Sequence, residues 1–266
     1  MTAPLRIGLL GYGTVGRALA RLLADETPRL EGLLGAAPRL VAVASRSLGK
    51  GPLDGLGADI RTGNDLAAVA TAPDVDVVVE LIGGLEPAGT LVASAIAAGK
   101  GVVTANKALL AARGTELAAL ARTKGVPLAF EAAVAGGIPI LRALRESFAG
   151  DRVEAVSGIL NGTSNFVLTG MNRTGRAFAD VLAEAQALGY AEADPTADVG
   201  GGDAACKLAL LARIAFGQDV PLETVSTSGI TGHEPVDLDY ARMLRRTPRQ
   251  LGVARRLADG RLLLSV

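Results

Sequence analysis

The sequence predicts an α/β architecture, with a doubly wound parallel sheet over residues 1–130 and a second α+β domain with a mixed sheet over residues 131–266. Short continuous apolar runs alternate with longer helical stretches up to Phe130, a Gly-x-Gly-x-x-Gly follows the first of those runs, and the rhythm changes after Phe130.

Each element follows from its residues. RIGLL, RLVAVAS, DVDVVVELIG, GVVTAN and VPLAF are strands that are apolar throughout rather than alternating, as expected of strands covered on both faces. VGRALARLLADE, PAGTLVASAIAAG and KALLAARGTELAALARTKG are the helices between them, and the Gly- and Pro-rich patch at 49–57 is a loop. Beyond Phe130, EAAVAGGIPILRALRES places Pro139 near the start of an amphipathic helix, and DRVEAVSGIL is a strand. NGTSNFVLTGMNRTG and FADVLAEAQALGY form two short helices, and residues 200–216 a longer one. QLGVARRLADGRLLLSV forms a hairpin that turns at Asp259-Gly260.

Composition narrows the function. Of 266 residues 49% are hydrophobic, enough for two modest cores, and the 27 basic residues balance the 27 acidic ones, which argues against a nucleic-acid partner. No apolar run reaches membrane-spanning length and no leader pattern precedes the first strand, so no membrane partner and a cytoplasmic location are expected. Cys206 is the one cysteine, so no internal disulfide forms; it reads as a small core filler. His233 is the one histidine and reads as a loop residue, which excludes a histidine triad or a cluster of histidine metal ligands. Only five lysines occur, at 50, 100, 107, 124 and 207, and in so arginine-rich a chain a lysine invites the question of what arginine cannot do, namely give up its proton.

The glycine motif, Gly11, Gly13 and Gly16 with Thr14 and Val15 between them, lies between a strand and a helix. That is where a tight turn, a close backbone approach and a helix N-terminus together hold a pyrophosphate. Without a ligand the same glycines would be a turn and nothing more. Where the second strand ends, the acidic residue that grips ribose hydroxyls is missing; Arg46 stands there, with Lys50 close behind. Cations suit a 2′-phosphate, so NADP is the preferred cofactor with NAD possible, unless Arg46 is simply a solvated loop charge. Residues 200–207 place Asp203 and Lys207 four apart, on one face of a helix, where they form either an exposed ion pair or part of a site. Lys107 follows an apolar strand at the carboxyl edge of the sheet, as a ligand-facing residue or a helix-start surface lysine.

Two stretches resemble a known family. VVTANK at 102–107, and GYAEADP at 189–195 followed by DVGGGDAACK at 198–207, resemble the signatures of homoserine dehydrogenase; VELIGG, EAAVAGGIPI and NGTSNF resemble further blocks of it. The resemblance runs from Arg6 to about Phe216 and is looser beyond, through LGVARR. It implies NAD(P)-linked interconversion of homoserine and aspartate semialdehyde, small molecules on the route to threonine and methionine, by a homodimer. It further implies that Lys107 and Lys207 are catalytic with Asp203 beside the second, and that Tyr190, Glu192, Asp198, Gly162 and Thr163 meet substrate, Glu192 at its ammonium. Ile82, Gly83 and Lys107 join the cofactor contacts, and backbone carbonyls of Glu131, Val134, Gly136 and Ile138 surround sodium or potassium. Family members continue past the LLLSV strand, so the sequence is expected to be cut short at Val266.

The reaction sends a hydride to the nicotinamide and the hydroxyl proton to a base. With histidine excluded, lysine remains, provided that burial and a second nearby cation favour its neutral form. Lys107 and Lys207, brought together from the two domains, would supply that arrangement, one polarising the carbonyl oxygen and the other shuttling the proton. Two alternatives stand beside this reading: a dehydrogenase of another amino-acid aldehyde, and a non-catalytic NADP-binding regulatory module.

Overall fold

The computed structural model describes residues 3–46, 48 and 56–266. It divides into two compact units, Met1–Ala133 and Val134–Val266.

In the first unit the strands are β1 (Leu5–Leu10), β2 (Pro38–Ala44), β3 (Arg61–Gly63), β4 (Val77–Glu80), β5 (Gly101–Thr104) and β6 (Leu128–Ala129). They form one sheet in the order β3-β2-β1-β4-β5-β6, and every pairing among the described residues is parallel. Helices α1 (Thr14–Leu34), α2 (Leu66–Ala70), α3 (Ala88–Ala97) and α4 (Lys107–Lys124) supply the crossovers. The order reverses between β1 and β4, and this is the switch point at whose carboxyl edge such sheets bind ligands.

Both faces are buried, as the unbroken apolar strands require. Leu10, Ala42, Ala44, Val78 and Val102 pack with Leu91, Val92, Ile96, Leu109 and Leu117 of α3 and α4. Ile7, Leu9, Val43 and Val79, pointing to the other face, pack with Ala20 and Leu23 of α1. Helix α1 runs well past the expected stretch, through Pro28, to a left-handed stop at Gly35.

In the second unit a short helix α5 (Ala132–Ala135), at the division between the units, is followed by α6 (Ile140–Arg142), which continues as a π-helical turn at Ala143–Ser147. Pro139 stands immediately before α6, as expected. Strand β7 (Ala155–Gly158) leads to α7 (Gly162–Thr174) and α8 (Phe178–Ala187), which pack on each other. Then come α9 (Thr196–Val199), α10 (Gly202–Phe216), α11 (Pro235–Met243), and β8 (Gly252–Arg256) with β9 (Leu262–Ser265). The hairpin turns through Gly260 at φ 84°.

Where a mixed sheet was expected, β7, β8 and β9 are antiparallel, and the parallel component is a single bridge between Ser226 and Ser265. Helix α10 lies on this sheet, burying Ala205, Leu208, Ala209, Ala212 and Phe216 against Val225, Ala254 and Leu264. A second core joins Val167, Leu168 and Met171 of α7 to Val181, Val199, Ile230 and Leu238. Among the described residues no helix is long and apolar enough to cross a membrane.

Arg6 and Asp76 lock β1 to the turn entering β4. The Asp76 carboxylate accepts from the Arg6 backbone N–H at 2.8 Å and from its guanidinium at 3.0 and 2.6 Å. These bonds to Arg6 hold the Asp76 carboxyl below its usual range, more than offsetting its partial burial. A depressed folded-state pKa adds stability above the unfolded value, about 3.9, and that stability is lost as pH falls through the folded value. Both side chains are over a third exposed, so screening limits the contribution to about 1 kcal/mol or less. Thermal unfolding should therefore show Asp76→Asn melting below the wild type at pH 7, with the gap closing in strong acid; an equal gap at both pH values would assign the loss to something other than this carboxylate.

Candidate active site

Two clusters, one in each unit, gather most of the residues singled out in the sequence. In the first unit, Gly11 to Gly16 turn from β1 into α1. Gly11 has φ 100°, and a Cβ there would lie 2.6 Å from the Leu81 carbonyl oxygen; a Cβ on Gly16 would lie 2.3 Å from the Gly11 carbonyl oxygen. Both positions are closed to any side chain. Gly13 instead faces open space at the start of α1, so its backbone is bare to an approaching group.

Gly11, Tyr12, Gly13, Ser45, Arg46, Leu66, Leu81 and Ile82 line a cleft of about 250 Å³. The turn from β1 thus meets the ends of β2 and β4, where a dinucleotide would lie across the switch point. Arg46 is in place at the end of β2, and Thr14 and Val15 are exposed at the first turn of α1. Lys50, expected beside Arg46, lies outside the described residues. Gly83 follows at φ 79° in the turn after β4. Lys107 is the first residue of α4, half-buried, at the carboxyl edge of β5.

In the second unit a cavity of about 1000 Å³ is lined by, among others, Asn161, Gly162, Thr163, Tyr190, Asp198, Asp203 and Lys207. Gly201, at φ 85°, turns the chain into α10, so that Asp203 falls in the first turn, where the helix dipole favours a carboxylate. One turn on, Lys207 Nζ lies 2.7 Å from Asp203 Oδ2. The Lys207 side chain is 19% exposed and that of Asp203 7%, so this is a nearly buried ion pair and not the exposed helix pair that the spacing alone allows. Lys207 also donates to the Leu160 carbonyl at 2.9 Å. An ammonium has three N–H groups, so one is left for the cavity.

Asn161 binds the cluster together. Its Nδ2 donates to Asp198 Oδ1 at 2.7 Å and to Asp203 Oδ2 at 2.9 Å, while its Oδ1 caps α7 through the Ser164 N–H at 2.7 Å. Thr163 Oγ1 is 2.8 Å from the Tyr190 carbonyl and 3.2 Å from Asp198 Oδ2. The Tyr190 ring, 62% exposed, stacks obliquely on Phe166 at 5.1 Å. Glu192 is exposed and is not among the residues lining this cavity. Asp194, close by, is held below the usual carboxylate range by hydrogen bonds from the Thr196 hydroxyl and N–H. In the proposed cation loop, Gly136 has φ 59° and the Ile138 carbonyl accepts from the Ile140 N–H at 2.8 Å. Among the described residues no cluster of His, Cys, Asp or Glu side chains is arranged to hold a metal ion.

The family described as homoserine dehydrogenase matches residues 139–266, and that described as homoserine dehydrogenase, NAD binding domain, matches residues 11–131. A homoserine dehydrogenase of Pseudomonas aeruginosa is 48% identical over 97% of this chain and 58% of its own length. The crystal structure of a homoserine dehydrogenase from Thiobacillus denitrificans superposes with a TM-score of 0.94 at 48% identity, covering 99% of this chain and 60% of that one. A structure from Archaeoglobus fulgidus, assigned provisionally to the same enzyme, is 31% identical with a TM-score of 0.85, covering 98% of this chain and 82% of that one. The chain belongs to the homoserine dehydrogenase family. It spans somewhat under three fifths of the length of the Pseudomonas relative, at 58%.

In this homoserine dehydrogenase family member the Gly11–Gly16 turn therefore belongs to an NAD-binding domain. The residues that sequence reasoning passed over are polar ones: Asn161, and in the first unit Glu80, Thr104 and Asn106. Asn161 had a local signal, since Asn directly ahead of an apolar-periodic run marks a helix N-cap. The glycines separate folding from binding. Gly16→Ala should lower the melting temperature by several degrees, because its Cβ meets backbone 2.3 Å away. Gly13→Ala should leave melting within a degree yet weaken nucleotide binding at least about tenfold, the smallest loss that closing off a backbone contact would give. Thermal unfolding and nucleotide titration of both variants check this, and unaltered binding by Gly13→Ala would contradict it.

Proposed function

We propose that this chain carries the catalytic region of a homoserine dehydrogenase, interconverting L-homoserine and L-aspartate 4-semialdehyde with NADP, or less favourably NAD. The observation that carries the reading is the buried Asp203–Lys207 pair opening on the cavity, tied through Asn161 to Asp198, in a chain whose first unit is of the family's NAD-binding kind. The glycine cradle fits the cofactor, since Gly11 and Gly16 admit no side chain and Gly13 leaves backbone exposed. When bound, the nicotinamide supplies the acceptor for the hydride that leaves the alcohol carbon.

The protein's part is to bind, orient and move a proton. Lys207, held by Asp203 and the Leu160 carbonyl, aims its remaining N–H at the substrate oxygen and stabilises the charge that develops there. Asp198, with one oxygen bonded to Asn161 and the other 3.2 Å from the Thr163 hydroxyl oxygen, presents a carboxylate to the substrate's polar groups. Tyr190 and Thr163 close that side of the cavity. Lys107 is assigned the proton transfer. Glu192 is assigned to the substrate ammonium on the resemblance alone. Arg46 is assigned the 2′-phosphate, with Lys50 as its helper. The carbonyls of Glu131, Val134, Gly136 and Ile138 are assigned a sodium or potassium ion, and the assembly is assigned as a homodimer, both on the same resemblance.

A spectrophotometric assay with homoserine and either nucleotide tests the proposal. Homoserine-dependent reduction should be faster with NADP, and Arg46→Ala should erase that preference. Lys207→Ala or Lys107→Ala should cut turnover by at least about a hundredfold with little change in nucleotide affinity. Nucleotide binding without homoserine turnover would sink the catalytic reading in favour of a regulatory module, and turnover only with a different aldehyde would move the chain to another substrate.

A further inference from the structure

The turn that follows β4 is made of residues with little stiffness of their own. Gly83 and Gly84 both have left-handed backbones, at φ 79° and 74°, with open space where each Cβ would be. Such a pair loses more conformational entropy on ordering than any other dipeptide, so something outside it must hold it. Two buried side chains do. Glu80 Oε1 accepts from the Ile82 N–H at 2.7 Å and the Gly83 N–H at 3.0 Å, and Asn106 Nδ2 donates to the Gly84 carbonyl at 2.7 Å.

Glu80 is itself fully buried, and its other oxygen accepts from the Thr104 hydroxyl at 2.5 Å. Thr104 Oγ1 in turn accepts from the Asn106 N–H at 3.0 Å, and Asn106 Oδ1 caps α4 through the Leu109 N–H at 3.1 Å. A continuous relay therefore runs from the end of β4, through the end of β5, to the helix that begins at Lys107. The donors to Glu80 are all neutral. A carboxylate buried without a cation is expensive, and an apolar residue would pack the same space at lower cost. The turn also packs closely on the glycine loop: Leu81 N–H donates to the Leu10 carbonyl at 2.8 Å, and Leu81 O lies 2.6 Å from where a Gly11 Cβ would be. Any slackening after β4 moves the floor of the Gly11–Gly13 cleft, which Leu81 and Ile82 line.

We propose that Glu80 is a positioning residue for the nucleotide, which through the Ile82–Gly84 turn and Thr104 sets the shape of the cofactor cleft, and does so equally for NADP and NAD. The inference rests on the reading of that cleft as the nucleotide site.

Titration of the purified protein with NADPH and with NADH, followed by nucleotide fluorescence, tests it together with thermal unfolding. Glu80→Gln keeps the size and one acceptor but turns an NH₂ toward Thr104, whose hydroxyl then lacks its acceptor. Thr104→Val removes the hydroxyl at nearly constant volume, and Thr104→Ser restores it. Glu80→Gln and Thr104→Val should each weaken both nucleotides by about tenfold and by the same factor, with Thr104→Ser near the wild type. Arg46→Ala, in contrast, should weaken NADPH alone. A lower melting temperature with unchanged affinities would reduce Glu80 to a packing role and overturn the proposal, as would a loss confined to NADPH. If Glu80→Gln does not fold, Thr104→Val decides by the same criteria. Wild-type protein that binds neither nucleotide would fail the reading of the cleft itself, and the proposal with it.

Discussion

One amide nitrogen, Nδ2 of Asn161, bonds carboxylates that arrive from two separate stretches of chain, Asp198 before α10 and Asp203 within it. Two carboxylates and one ammonium in a mostly buried space leave an excess of negative charge, and each oxygen that lacks a donor there costs about 1–3 kcal/mol. Asn161 supplies two donors at once and Lys207 a third. The orientation of Lys207 is thereby fixed by groups that are themselves fixed, and a reacting oxygen would need that rigidity to feel the ammonium's charge.

The same device recurs in the first unit. Asn106 and Asn161 each stand at the start of a helix and cap it with Oδ1, and each sends Nδ2 to a segment distant in sequence, Gly84 in one case and the two aspartates in the other. Serine or aspartate would cap as well, but neither offers an acceptor and two donors on one short side chain. Both helices begin at the rim of a site, so capping and site-building fall to one residue. In the first unit the parallel sheet adds a constraint: its reversal between β1 and β4 leaves a crevice, and Gly11 and Gly16 let the backbone close around it.

Much of this was legible in the sequence because it is local. The apolar strands β1, β2, β4 and β5, the Gly11–Gly16 turn and the four-residue spacing of Asp203 and Lys207 all express rules that act over a few residues. Strand β3 and helix α2 were not legible: Arg61–Gly63 contains no apolar residue and is a strand only through its pairing with the edge of β2. Nor was the full length of α1, since Pro28 ordinarily marks a helix end, yet the helix runs on to Gly35. The burial of the Asp203–Lys207 pair and the part played by Asn161 depend on contacts across 37 and 42 residues, which no spacing reveals. Glu192 shows the converse limit, since a motif names the residue but its exposure and its place outside the cavity lining are properties of the folded chain.

The central claim is that Asn161, Asp203 and Lys207 act as one unit on the substrate oxygen. A double-mutant cycle of Asn161→Ala and Asp203→Asn, read as kcat for homoserine oxidation at saturating nucleotide, tests it most directly. Residues that work only through each other should give a double variant little worse than the more damaging single one. Losses that multiply, each variant contributing its own factor independently, would contradict the claim and leave Asn161 as a helix cap that happens to lie beside the site.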